Sequence, residues 1–248
     1  MAGTFLVNRP LNFRYSDMKI IISLILAVSV CGVAGAGTIT GTVRAEGKAA
    51  ADTGAAADGA YANRKYKFAE KVDYSAMRDF VVYIEGPGGT NNVPSTNVVS
   101  VATTRVAQHD ALFTPHVLPV MVGTTVEWPN QDTIFHNVFS MSDAKEFDLG
   151  LYKGNPTNKC VTFDRPGRVD VFCSIHENMH CIVLVLENPY FASTDENGNY
   201  KISGIPPGTY KLKAWQERLP ADEREITVPA DGVVKADFTL GIKNLPQY

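Results

Sequence analysis

Short runs rich in Val, Ile, Phe and Tyr recur along the chain, separated by Gly, Pro, Asn and Asp. No stretch sustains the apolar period of a helix, so the pattern predicts an all-β fold, a sandwich or a barrel. Gly37-Thr38-Ile39-Thr40-Gly41-Thr42-Val43-Arg44 alternates β-branched with small or polar residues, and Phe80 to Glu85 is a second strand ended by Gly86-Pro87. Strands then crowd between residues 98 and 187: Leu118–Val122, Thr124–Trp128, Cys160–Phe163, Arg168–Phe172 and Cys181–Val185. After Asn188-Pro189 the style shifts. Tyr190–Thr194 and Tyr200–Ile202 flank Asp195-Glu196-Asn197-Gly198-Asn199, whose composition predicts a hairpin turn. Thr209–Trp215 and Lys235–Leu240 complete the series. Residues 49–77, rich in Ala, Gly and charge, hold too little apolar material to pack and are expected to form a mobile loop.

The N-terminus follows a different logic. Met18-Lys19 precedes the apolar stretch Ile20–Val30, and small residues follow to Ala34-Gly35-Ala36. A basic start, a short apolar core and an A-x-A site predict a signal peptide over residues 1–36, with Met18 an alternative start and an uncleaved anchor the other reading. The mature chain is therefore expected to be periplasmic or otherwise secreted. The full sequence of 248 residues, 45% hydrophobic and 20% charged, suffices for one large or two small domains. A net charge of −3 and the lack of a basic stripe argue against nucleic-acid binding. No later apolar run is long enough to span a membrane.

Cys160, Cys173 and Cys181 remain beyond the leader, an odd number for an oxidising compartment. Cys160 and Cys181 each open a strand-like run, so they form either a bridge or two partly buried thiols. Cys173-Ser174-Ile175-His176-Glu177-Asn178-Met179 puts a thiolate, an imidazole and a thioether into one turn between two strands. Phe135-His136-Asn137 adds a second imidazole from upstream. Soft sulfur joined with imidazole is the donor set of a blue-copper electron-transfer site. His180, next to Met179, is a competing ligand by position, and His109 and His116 are either surface residues or a second metal site. Trp128 and Phe135 are core or site-wall residues, and Asp195, Glu196 and Asn197 suit a turn better than calcium. The chain has five histidines, too few for the added clusters of a multicopper enzyme, and it lacks a haem-attachment or zinc-peptidase motif. No enzymatic activity is expected.

Residues 122–186 resemble the cupredoxins, amicyanin and plastocyanin in particular. The likeness rests on Val122-Gly123-Thr124-Thr125-Val126-Glu127-Trp128-Pro129-Asn130, His136-Asn137-Val138, Phe163-Asp164-Arg165-Pro166-Gly167 and Cys173-x-x-His176-x-x-Met179. The resemblance implies a Greek-key β-sandwich with one type 1 copper. His136, Cys173 and His176 would form its trigonal plane, Met179 would be axial, and Asn137 would tie the two ligand loops together. The flanking strands resemble a carboxypeptidase-regulatory-like (transthyretin-like) sandwich through Gly41-Thr42-Val43, Val81-Val82-Tyr83, Thr194 to Tyr200 and Pro207-Gly208-Thr209-Tyr210. Together they imply a discontinuous host, residues 37–86 and 188–243, with the cupredoxin at 87–187 inserted; two domains in series are the alternative. Exported methylamine-utilisation-type cupredoxin proteins look similar over most of the chain. The function implied is an exported single-electron carrier between a redox donor and acceptor, the alternative being copper trafficking or sensing.

Overall fold

The computed structural model describes residues 35–47, 73–86, 104–154, 156 and 159–241. The expected leader, except Gly35 and Ala36, and most of the expected 49–77 loop lie outside the described residues. Within them the chain is all β apart from a 3-10 turn at Tyr74–Ala76. The first strands are β1 (Gly37–Ala45), β2 (Val81–Ile84), β3 (Thr104–Arg105), β4 (Ala107–His109), β5 (Leu112–Thr114) and β6 (Val117–Met121). Next come β7 (Thr124–Glu127), β8 (Phe139–Ser142), β9 (Lys145–Asp148), β10 (Cys160–Phe163), β11 (Gly167–Phe172) and β12 (His180–Leu186). The last are β13 (Phe191–Ser193), β14 (Asn199–Ile205), β15 (Gly208–Gln216), β16 (Leu219–Val228), β17 (Val233–Lys235) and β18 (Phe238–Leu240).

These strands make two sandwiches packed back to back. In one, the sheet β14-β1-β17, extended by β18, faces the sheet β13-β2-β15-β16. Their shared core holds Ile39, Val82, Ile84, Ile202, Leu212 and Phe238. In the other, the sheet β6-β12-β11-β8-β9 faces β10-β7-β3 across Val126, Trp128, Phe163, Val171 and Val183. A third, smaller cluster joins the sandwiches: Val117, Ile182, Leu184 and Leu186 meet Val81, with Tyr83, Phe191 and Trp215 packed against them.

That stacking explains the sequence of β12. A strand buried on one face alternates apolar with polar, whereas one buried on both faces is apolar throughout. In Cys181-Ile182-Val183-Leu184-Val185-Leu186 every residue is buried. Cys181, Val183 and Val185 face the core of their own sandwich, and Ile182, Leu184 and Leu186 face the seam. By contrast β1 alternates: Ile39 and Val43 point inward while Thr38, Thr40 and Thr42 are half-buried.

One expectation needs correcting, and one open alternative is decided. The Asp195–Asn199 turn does not join a hairpin: β13 pairs with β2, whereas β14 pairs with β1 in the opposite sheet. The carbonyl of Gly198, at φ 81°, accepts from Val43 N–H at 2.8 Å, and this contact carries the chain across the sandwich. The Cys160–Cys181 bridge is also not formed. Cys181 keeps a free thiol in the core, where burial pushes its pKa far up, and Cys160 is exposed at the start of β10.

Candidate metal centre

β11 and β12 are antiparallel neighbours, with Phe172 opposite His180, so the residues between them form one closed turn. Within it Cys173 N–H donates to Met179 O at 3.2 Å and Met179 N–H donates to His176 O at 3.0 Å. Cys173 and Met179 are buried, while His176 is partly exposed. His136 comes from the β7–β8 loop, where its backbone exchanges two hydrogen bonds with Tyr152, and its side chain is fully buried.

The structure brings His136, Cys173 and His176 together, with one candidate ligand atom from each inside a 4.8 Å group. The two Nδ1 atoms stand 2.9 Å apart, and Cys173 Sγ is 3.7 Å from His176 Nδ1. Met179 shares the closed turn and packs in the core beneath it. His109 pairs with Asp110 at 3.1 Å on the surface, and His180 turns toward Asp170 at 2.9 Å, so neither joins the group.

Asp132, absent from the sequence reading, decides which nitrogen of His136 carries the proton. Its Oδ2 lies 2.7 Å from His136 Nε2, and its carboxylate also accepts from Asp110 N–H and Ala111 N–H at 2.8 and 3.0 Å. Burial pushes the Asp132 carboxyl up, but the Ala111 N–H, the His136 ring and the Asp110 N–H outweigh it and hold the group below the ordinary carboxylate range. An ionised carboxylate only accepts, so Nε2 bears the hydrogen and Nδ1 presents a lone pair toward His176 and Cys173. Such a carboxylate–imidazole pair orients metal-binding histidines in general. A sequence signal existed in the four-residue spacing of Asp132 and His136, but in a loop that spacing has no geometric meaning by itself.

The surroundings hold this arrangement still. Asn130 Nδ2 donates to Ile134 O and Tyr152 O, and Asn130 Oδ1 accepts from Asp132 N–H. Gln108 donates to Tyr152 Oη and to Trp128 O under the loop. Asn137 ties the loops through its backbone, which donates to Cys173 Sγ at 3.4 Å, while its side-chain amide goes to Asp148 on β9 at 2.8 Å. Around the site Ile134, Phe135, Leu151 and Ile175 are exposed apolar residues on the loops that carry or brace the ligands.

With two imidazole nitrogens and a sulfur converging, the donor chemistry fits a soft or borderline metal ion. Residues 183–241 match the carboxypeptidase regulatory-like domain. β1 and β2, outside that stretch, pair with β14, β13 and β15 within it. No curated relative matches the sequence. Among solved structures, a Cu-containing nitrite reductase from Thermus scotoductus SA-01 is similar at 28% identity, over 35% of this chain and 23% of that one, with a TM-score of 0.32. The chain thus spans under a quarter of that reductase. A reduced Cu(I) amicyanin variant is similar at 24% identity over 34% of this chain and 82% of its own, with a TM-score of 0.30. A purple cupredoxin from Nitrosopumilus maritimus is similar at 23% identity, covering 33% and 98%, with a TM-score of 0.29.

Proposed function

We propose that this protein is an exported single-electron carrier with one type 1 copper held by His136, Cys173, His176 and Met179. The observation that carries the reading is the convergence of the His136 and His176 Nδ1 atoms and Cys173 Sγ, with His136 oriented by Asp132. Copper there would cycle between Cu(I) and Cu(II), a one-electron change suited to thiolate and imidazole donors. The protein's part is to keep the donors in place through that change. Cys173, His176 and Met179 sit in one turn closed by backbone hydrogen bonds, and His136 is locked by Tyr152 and Asp132. Burial of Cys173 and Met179 keeps water from the sulfur side, and the partly exposed ring of His176 is the exit route for the electron. Ile134, Phe135, Leu151 and Ile175 would form the docking rim, since clustered exposed apolar residues mark transient interaction surfaces.

The sandwich holding these ligands is further proposed to be an insertion, residues 87–187, in a discontinuous regulatory-like host formed by 37–86 and 188–243. The pairing of β1 with β14, β17 and β18 supports it. The leader at residues 1–36 supports a periplasmic or secreted location.

The test is a visible and electron paramagnetic resonance spectrum of the copper-loaded chain, followed by voltammetry. An intense thiolate–Cu(II) band with reversible cycling is expected. Copper that exchanges freely without that band would overturn electron transfer in favour of trafficking.

A further inference from the structure

A second group of metal-ligand side chains lies apart from the first. His116 precedes β6, His180 opens β12, and Glu217 sits in the turn from β15 to β16 of the regulatory-like sandwich. One ligand atom from each falls within 4.8 Å of the other two, and all three residues are partly buried. His116 Nδ1 lies 3.2 Å from His180 O, and its Nε2 lies 2.9 Å from Glu217 Oε2. Both neighbours are acceptors, whereas a neutral imidazole has one N–H to give. Whichever ring nitrogen carries it, the lone pair of the other faces an oxygen acceptor. A cation between them removes that repulsion, and the second imidazole beside them makes a metal ion the better match.

We propose that His116, His180 and Glu217 bind a divalent transition-metal ion that clasps the two sandwiches together. Two imidazole nitrogens and one carboxylate oxygen, with a further position open to water, are the donors Zn(II) accepts readily. Cu(II) takes the same nitrogen and oxygen donors in a tetragonal arrangement. The site is braced from outside. Asp170 holds His180 Nε2 at 2.9 Å, and Phe172 stacks on the His180 ring at 4.8 Å between centroids. Asp170 is itself fixed by Arg168 through two hydrogen bonds. Because His116 and His180 belong to one sandwich and Glu217 to the other, the ion would reinforce the seam formed by Val117, Ile182, Leu184 and Trp215.

The experiment uses the full chain carrying Cys173→Ser, which removes the thiolate and so keeps the first site from dominating uptake. Zn(II) is titrated calorimetrically at about pH 7.5, above the ordinary imidazole range of about 6.5. Expected is one equivalent of Zn(II) that is lost when Glu217→Gln is added, and again when His116→Gln is added instead. Partners that merely orient ligands are worth about 10–100-fold in affinity, so removing a direct ligand should weaken binding at least about 100-fold. The thermal midpoint should rise with Zn(II) in the parent and not in either variant, with circular dichroism spectra of the metal-free proteins unchanged. A Cu(II) arm read by electron paramagnetic resonance should give a tetragonal nitrogen–oxygen signal that Glu217→Gln abolishes. Uptake unchanged by both substitutions, or no uptake at all, would overturn the clasp. Neither readout involves the thiolate, so the result is independent of the electron-transfer proposal.

Discussion

Cys173 is the residue on which the colour of the protein should depend. With Cys173→Ser the hydroxyl cannot replace a soft thiolate donor, so the intense visible band should vanish from copper-loaded protein. On the proposed ligand set Met179→Leu would remove only a weak axial donor; the band should persist while the reduction potential, measured by voltammetry, rises. Asp132→Asn is a sharper test of positioning. It leaves all four candidate ligands in place but lets His136 Nε2 face either end of an amide. Copper affinity in a competition titration should drop about 10–100-fold. An unchanged affinity would mean that the Tyr152 backbone alone orients the ring.

At the scale of elements, β12 carries the most. It supplies His180, lines one core with Cys181 and Val183, and lines the seam with Ile182 and Leu184. Ile182 is fully buried between the sandwiches, so Ile182→Ala should cost about 2–5 kcal/mol, seen as a lower urea midpoint. The Asp195–Asn199 turn is the second critical element. At φ 81°, with a Cβ that would stand 2.3 Å from Val43 O, Gly198 accepts no side chain without displacing backbone. Gly198→Ala should destabilise by at least about 1–3 kcal/mol in the same measurement. That turn also shows where local reading stops. Its residues predicted a hairpin because turn chemistry is local, yet β13 and β14 part company, since each finds a partner far away in the chain. β16 left little trace in its sequence for a related reason. It pairs only with β15 at the sheet edge, and most of its residues between Pro220 and Glu225 are exposed and polar.

For the molecule as a whole, acid is the predictable stress. Asp148 is held below the ordinary carboxylate range by the Gly150 N–H and the Asn137 amide, and Asp195 by the Asn199 side chain and backbone. Asp237 is lowered in the same direction by Lys235 and the Thr42 N–H. A carboxyl with a depressed folded pKa binds fewer protons folded than unfolded. Its stabilisation is therefore complete above the unfolded value of about 4 and is lost as pH falls through the folded value. The thermal midpoint should be insensitive to these groups above about pH 5 and should fall below it, and Asp148→Asn should reduce that slope.

The sequence by itself determined the β class, the runs that became β1, β6, β7, β10, β11 and β12, and the placing of the candidate donors Cys173, His176 and Met179 in one turn. These are short-range properties: strand periodicity and the span of a tight turn are set by neighbours within a few residues. His136 was legible because its donor type matched theirs. Tertiary structure alone decided which sheet each strand joins, that Asp132 orients His136, and that Cys181 stays a buried thiol. It also decided that Glu217 meets His116 across 101 positions of chain. Such contacts depend on which faces stack to bury apolar surface, and no local pattern encodes the outcome of that stacking.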